Sequence, residues 1–426
     1  MQEKNLTNTL DHLFRNEYGK VVAVLTNKFG ISHLEQIEDA AQDTFLKAMQ
    51  VWAYKSVPDN PTAWLYRVAQ NSLIDFLRRE KKMDFLGDTI LSEKTTSENI
   101  VSLDDTITDS QLKMIFACCH PSLSQEHQII LSLKLIGGFS NRELAEALLK
   151  KEETVAKSFT RAKKKFREEV QFLQIPVQMG LQSRLFMVLQ VIYLLFSEGY
   201  SATTGSLILK KDICYESLRL ALLLQKNKYC KHPNLEALIA LMCFHASRFD
   251  ARMNDKRELV TLEHQNRSRY NEELIQIGIY HLENSGTADK KPSSYHLEAA
   301  RSYYHCTAKT FQNTDWKSIL YLYDVQLRMH YTPMLALNRI VPFAKIHGAE
   351  EGLIELQRTS NENDFSTTAL YFAIKAELMF ETNNLENYIP TLNKAIDLTD
   401  NDLIKKHLGK KLKRGCYELG LISKLK

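Results

Sequence analysis

A chain of 426 residues exceeds one compact domain and predicts two or three. Hydrophobic residues at 44% and charged residues at 25% exclude wholesale disorder, and 15 Gly with 9 Pro are too few for the turns of a β-rich fold. The formal net charge of +4 is too small to announce a nucleic-acid partner, so any such case must rest on local charge.

The first zone, to Lys82, reads as helices interrupted at Pro58-Asp59-Asn60-Pro61. In the helix from about Glu38 to Trp52, Ala41, Phe45, Ala48 and Trp52 recur at steps of four, three and four and predict one buried stripe. Asp39, Gln42, Asp43 and Gln50 form its polar face. Pro61 suits the first turn of the next helix. There Leu65, Ala69, Leu73 and Phe76 are expected on the core side, and Trp64 is also expected in the core. Arg67, Asn71, Asp75, Arg78 and Arg79 line the other face, where guanidinium groups could meet phosphates and an amide a base edge.

From Met83 to Ser110 helical periodicity stops. Seven acids (84, 88, 93, 98, 104, 105 and 109) face one base at 94, a net −6. A stretch of this length is a linker or functional. The third zone, Gln111 to about Phe172, is helical again, and residues 150–167 hold eight bases against two acids, a net +6. Ser140 can cap a helix through Leu148, with Glu143 at the acidic position of a capping box. After a break at Lys150 to Glu152, a second helix begins near Glu153-Thr154. Val155, Phe159, Ala162 and Phe166 bury one side of it, and Lys157, Arg161 and Lys164 line another. Two helices joined by a brief turn, the second basic, is the helix-turn-helix arrangement, whose second helix fits the major groove. A helical hairpin with a solvated Lys-rich end has the same pattern, and Leu149 stands where a turn glycine is common.

The zone from about Pro176 onward is a series of helices. Leu185–Leu189 and Leu235–Leu241 are apolar nearly all round, as buried helices are. The stretch Leu185 to Phe196, broken by Gln190, falls short of the roughly 20 residues a bilayer requires. Ala376, Tyr388, Leu392 and Ala395 match packing positions of a 34-residue tetratricopeptide unit. The seven cysteines (118, 119, 214, 230, 243, 306 and 416) have no CxxC spacing. Without a leader pattern, a cytoplasmic chain with no disulfide framework and no membrane partner is expected.

The ordered motifs resemble a known family. Asp39-Ala40-Ala41-Gln42-Asp43-Thr44-Phe45, Pro61 through Asn71 and Asp75-Phe76-Leu77-Arg78-Arg79 closely resemble region 2 of bacterial sigma factors of the extracytoplasmic-function group. Phe116-Ala117-Cys118-Cys119-His120-Pro121 and Ser140 through Lys163 look like region 4. Leu194 through Ser201 is similar to the start of a helical, tetratricopeptide-like extension found in one branch. The resemblance spans essentially the whole chain, although Lys150-Lys151-Glu152-Glu153 departs from the apolar and proline residues that branch tends to show.

It implies an all-α protein. Residues 1–82 would be region 2, 83–110 an acidic linker, 111–172 a region 4 helix-turn-helix domain, and 173–426 the helical extension. The implied function is promoter-specific transcription initiation, with core RNA polymerase and promoter DNA as partners and no catalytic step or cofactor. Asp39, Gln42 and Asp43 would contact polymerase. Arg67, Asn71, Arg78 and Arg79 would hold the opened −10 element. Thr154, Lys157, Ser158, Arg161 and Lys164 would lie on the −35 element, with Ser140 and Arg142 on phosphates. The acidic linker would thread the polymerase interior. The extension would tune activity, by covering DNA-binding faces or by taking a protein or peptide partner.

Other readings of the same residues are weaker. Cys118-Cys119-His120 lacks zinc-ligand spacing and predicts buried thiols. His245, His264, His281 and His305, with Glu198, Asp250, Asp255, Glu258 and Glu263, define no nucleophile–base pair. The clusters Arg248–Arg252 and Glu263–Arg269 are expected to form buried ion pairs, a ligand pocket being the lesser option. The rivals are a DNA-binding regulator with a helical sensor domain, which needs no polymerase-docking helix, and an enzyme housed in the extension.

Overall fold

The computed structural model describes residues 17–83, 103–148, 150–176, 179–200, 211–254, 258–286 and 291–418. Most of the acidic stretch after Met83, Leu149 of the expected turn, and Asp255 lie outside the described residues. The fold is all-α: among the described residues no strand forms, and pairing is confined to an isolated bridge between Met253 and Leu259. The chain divides into two compact units, Met1–Leu195 and Phe196–Lys426.

The first unit contains α1 (17–29), α2 (Leu34–Tyr54), α3 (Pro61–Met83), α4 (Leu103–Cys118), α5 (Gln125–Leu135), α6 (Asn141–Leu148), α7 (Glu152–Glu169) and most of α8 (Met179–Tyr200). Two of them, α3 and α5, begin where the sequence supplies a side-chain cap. The Asn60 side chain accepts from the Ala63 amide at 2.9 Å at the start of α3, and Ser124 accepts from the His127 amide at 3.3 Å before α5. Helix α4 starts at Leu103, inside the stretch whose polar composition had suggested a linker. The expected stripe of α2 is buried at Ala41, Phe45, Ala48 and Trp52. In α3, Leu65, Ala69 and Leu73 are fully buried, and Trp64 is half-buried with its ring 5.3 Å from that of Trp52. Phe76 departs from expectation, being 46% exposed. A periodic stripe sets the direction of a side chain, not whether a neighbour covers it.

Helix α8 is 22 residues long and, by length and composition, apolar enough to cross a membrane, which revises the expectation that no segment reaches that length. Leu185, Val188, Leu189 and Ile192 are buried against the protein, whereas Phe186 is exposed, so α8 is not apolar-covered all round.

The second unit continues with α9 (Lys211–Lys226), α10 (Pro233–Ser247), α11 (Glu272–Asn284), α12 (Ser294–Thr307), α13 (Trp316–Met329), α14 (Pro333–His347), α15 (Ala349–Glu362), α16 (Ala369–Glu381), α17 (Leu385–Asp397) and α18 (Asp402–Glu418). Helix α10 is its axis: Leu235 and Ala237 through Phe244 are all buried, as an unbroken apolar run requires. Gly278 of α11 lets the two helices approach, since a Cβ there would meet the Phe244 ring at 2.8 Å. The later helices stack as hairpins. Ala376, Tyr388, Leu392 and Ala395 pack with Leu408 in one core, so the four positions matching a tetratricopeptide unit come together.

Candidate polymerase and nucleic-acid interface

On α2, the residues opposite the buried stripe are Asp39, Gln42 and Asp43, all exposed. Gln42 hydrogen-bonds the Tyr18 hydroxyl, whose pKa is raised chiefly by burial. The same face carries Leu46 (59% exposed) and Met49 (44%), two apolar side chains that sequence reasoning did not single out. Asp39, Gln42, Leu46 and Met49 recur at steps of three, four and three, so they form one stripe. A mixed acidic and apolar stripe of this kind suits a protein partner better than solvent. The signal was present in sequence, as apolar residues set at helical spacing among polar ones.

On α3, Arg67, Asn71, Arg78 and Arg79 are exposed, as is Asp75. The exposed Phe76 ring sits beside that stripe. Cations and an amide flanked by an aromatic face are the components that hold an unstacked base and its phosphates.

Helices α6 and α7 form the expected pair. The capping box is complete: the Ser140 amide and hydroxyl both donate to Glu143 Oε2 at 2.9 Å, and the Glu143 amide donates to Ser140 Oγ at 3.2 Å. Helix α7 starts at Glu152, after Lys151, with no side-chain cap. Val155, Phe159, Ala162 and Phe166 are its buried residues. Ser140, Arg142, Thr154, Lys157, Arg161 and Lys164 are exposed and Ser158 is half-buried. Ser158 Oγ donates to Glu126 Oε1 at 2.9 Å, Lys150 pairs with Glu126 at 2.7 Å, and Lys157 pairs with Glu153 at 2.6 Å. The Lys150 and Ser158 bonds hold the Glu126 carboxyl below its ordinary range.

The structure also joins what the sequence keeps far apart. Lys163 of α7 pairs with Glu38 of α2 at 2.8 Å, with both groups largely buried, and Arg167 pairs with Glu35 at 3.0 Å. Burial pushes the Glu38 carboxyl up while Lys163 pulls it back, and the balance stays above the ordinary value. Lys163 and Lys134 lie 4.7 and 5.2 Å from the Phe159 ring centroid. The Asn27 side chain donates to Ser110 Oγ at 3.2 Å, and Gly19 passes so close to the Ile136 carbonyl that a Cβ would sit 1.9 Å from it. The α1–α3 module and the helix-turn-helix module therefore pack as one body.

Cys118 and Cys119 are buried thiols, the first pushed well up by burial and the second up to about 12, so neither presents a thiolate. The adjacent His120 turns its Nδ1 to Ser122 Oγ at 2.6 Å. Among the described residues no group of three His, Cys, Asp or Glu side chains is placed to hold a metal ion.

Comparison with known proteins adds the following. Residues 13–83 match the sigma-70 region 2 family, and residues 184–286 match a family of unknown function, DUF6596. The uncharacterized protein R00370 of Rhizobium meliloti is 31% identical over 325 residues, covering 75% of this chain and 76% of that protein. The RNA polymerase sigma factor YlaC of Bacillus subtilis is 28% identical over 143 residues, 33% of this chain and 79% of YlaC. The ECF RNA polymerase sigma factor SigL of Mycobacterium tuberculosis is 28% identical over 117 residues, 26% of this chain and 62% of SigL. No solved structure matches the chain.

Proposed function

The chain belongs to the extracytoplasmic-function sigma factors, which direct bacterial RNA polymerase to promoters for transcription initiation, and from that premise we propose which surfaces do so. The stripe of Asp39, Gln42, Leu46 and Met49 on α2, with Asp43 beside it, docks on core polymerase. Exposed acids set next to exposed apolar side chains on one helix face carry this reading. Arg67, Asn71, Arg78 and Arg79 hold the separated strand of the −10 element, with Phe76 as the stacking face. Thr154, Lys157, Ser158, Arg161 and Lys164 enter the major groove at the −35 element, where each good bidentate contact discriminates by roughly 1–3 kcal/mol. Ser140 and Arg142 steady the partner helix on phosphates.

The domain division proposed is region 2 over 1–82, an acidic linker that ends where α4 begins at Leu103, region 4 from there to 172, and a helical extension over 173–426. The work is recognition without bond making, performed in the cytoplasm. The extension tunes activity by taking a protein or peptide partner. An open groove of about 560 Å³ in the second unit supports this, lined by Asn363, Asp364, Phe365, Tyr371, Lys375 and Lys394 among others.

Size-exclusion chromatography with purified core polymerase tests the docking surface. The wild-type chain co-elutes with core and Asp43→Arg does not. Co-elution of the variant at wild-type yield would remove α2 from the interface and favour a DNA-binding regulator that needs no polymerase.

A further inference from the structure

The second unit concentrates positive charge where the sequence had suggested buried ion pairs. Arg248, at the C-terminal end of α10, is only 7% exposed. Its Nη2 donates to the Tyr200 hydroxyl at 2.9 Å and lies 3.0 Å from His245 Nδ1, while its Nε is buried without a hydrogen-bond partner. Arg252 lies 3.9 Å from the Tyr200 ring centroid and donates to the Tyr200 carbonyl at 2.6 Å. Arg267 donates from Nη1 to the carbonyls of Leu262 and Gln265, leaving its Nε and Nη2 buried and unsatisfied. His305 Nδ1 is a further buried atom with no partner.

Among the described residues, the acids close in sequence do not compensate. Asp250, between Arg248 and Arg252, is exposed and pairs with Lys211 at 2.5 Å, and Glu263 is exposed as well. Arg301 alone reaches towards a carboxylate, through Gln326: its Nη1 donates to Gln326 Oε1 at 2.6 Å, and Gln326 Nε2 donates to Glu298 at 3.5 Å. Among the described residues no carboxylate forms an ion pair with Arg248, Arg252 or Arg267.

These groups share one neighbourhood. Arg248 and Arg267 both act electrostatically on His305, Cys306 and Tyr270, and Arg248, Arg252 and Arg301 all act on His245. Burial and these cations together keep both imidazoles neutral, His305 down to about 3. Tyrosine faces offset part of the cost at roughly 0.5–2 kcal/mol each, against several kcal/mol for desolvating each ion. Among the described residues, negative charge is the component these cations lack. Tyr200, His245, Arg252, Arg267 and His305 are half-buried, so the cluster is not wholly sealed from solvent.

We propose that Arg248, Arg267 and His305, flanked by Tyr200 and Arg252, form a binding site for a small ligand bearing an oxyanion, a phosphoryl or carboxylate group. Guanidinium forks match both groups, and the unsatisfied Nε and Nη atoms are the edges such a group takes. A duplex is the wrong occupant, because Arg248 is too deep for a nucleic-acid backbone to reach. The ligand would reach a unit that lies outside the DNA-binding helices and so serve as a chemical input to the sigma factor. The site stands on the second unit alone and does not depend on the polymerase contacts.

Isothermal titration of the full-length chain, in buffer free of other oxyanions, tests it with inorganic phosphate and with succinate, each against chloride at matched ionic strength. At least one of the two binds saturably at low-millimolar concentration and raises the unfolding temperature, which chloride does not. Phosphate binding alone assigns a phosphoryl ligand, and succinate binding alone assigns a carboxylate. Arg248→Gln and Arg267→Gln each weaken binding roughly tenfold or more. Should Arg248→Gln fail to fold, the half-buried Arg267→Gln, with its helicity checked by circular dichroism, decides. Failure of both anions to bind saturably, or wild-type affinity in folded Arg267→Gln, overturns the proposal.

Discussion

Two side-chain clusters, one in each unit, treat their cations in opposite ways. In the first, Lys163 and Arg167 each meet a carboxylate, Glu38 and Glu35, from a helix more than a hundred residues away in sequence. In the second, Arg248, Arg252 and Arg267 meet hydroxyls, carbonyls and ring faces instead. A paired buried cation is a fastening, complete without outside help. A buried cation lacking an acid is stable only through many small contacts, and it leaves a place for an anion. The same side-chain chemistry thus fastens helices in one cluster and leaves a place for a ligand in the other.

The largest expected effect falls on the fastening. Lys163→Ala removes the ion-pair partner of the buried Glu38 carboxylate, with Lys134 still acting on it electrostatically, and should destabilise the first unit by about 3 kcal/mol in urea unfolding, the low end for a broken buried pair. Adding Glu38→Gln should recover much of that loss. If Lys163→Ala alone is neutral, the pair is no fastening. Phe166→Ala, at a fully buried position of α7, gives a scale of similar size, about 3–5 kcal/mol, in the same unit without any charge.

A smaller effect concerns promoter recognition by the outward face of the same helix. Arg161→Ala should cost about 1–3 kcal/mol and relax preference at one base pair of the −35 element. Lys164→Ala should weaken binding to all sequences alike and lower the salt slope by about one. Quantitative footprinting across a salt series separates the two. Equal losses on all sequences for Arg161→Ala would move it from the base edges to the backbone.

The contrast also predicts a pH response from the histidines of the second unit's cluster. Folded His245 and His305 are held below the ordinary histidine pKa, so between about pH 6.5 and His305's value of about 3 the unfolded chain binds protons that the folded one does not. Stability from these groups is complete above that window and is lost progressively as pH falls through it. The sign runs from burial and from Arg248, Arg252, Arg267 and Arg301 around them. His305→Gln should flatten the fall in unfolding temperature between pH 7 and pH 5. An unchanged slope would show that His305 is not held neutral.

Much of this was legible in the amino-acid sequence, and its limits have a physical pattern. Val155, Phe159, Ala162 and Phe166 were readable because helical period fixes a face, and the Ser140–Glu143 box because its bonds span three residues. Phe76 was misplaced because periodicity cannot say where the covering neighbour ends. Lys163 read as one of a run of surface lysines, since its partner Glu38 lies far away in sequence and only tertiary packing joins them. Arg248 and Arg252 were expected to pair with nearby acids. The chain turns there through a 3₁₀ segment, Phe249–Ala251, which leaves Asp250 exposed while Arg248 turns inward to Tyr200 and His245. Leu46 and Met49 carried a readable signal that the polar residues around them obscured.

Run-off transcription with purified core polymerase tests the central claim most directly. Wild-type protein should make core begin RNA synthesis at defined positions on templates selected from a random promoter library, and Asp43→Arg should leave transcription at the level of core alone. Transcripts whose start sites are the same with and without the wild-type chain would contradict the account.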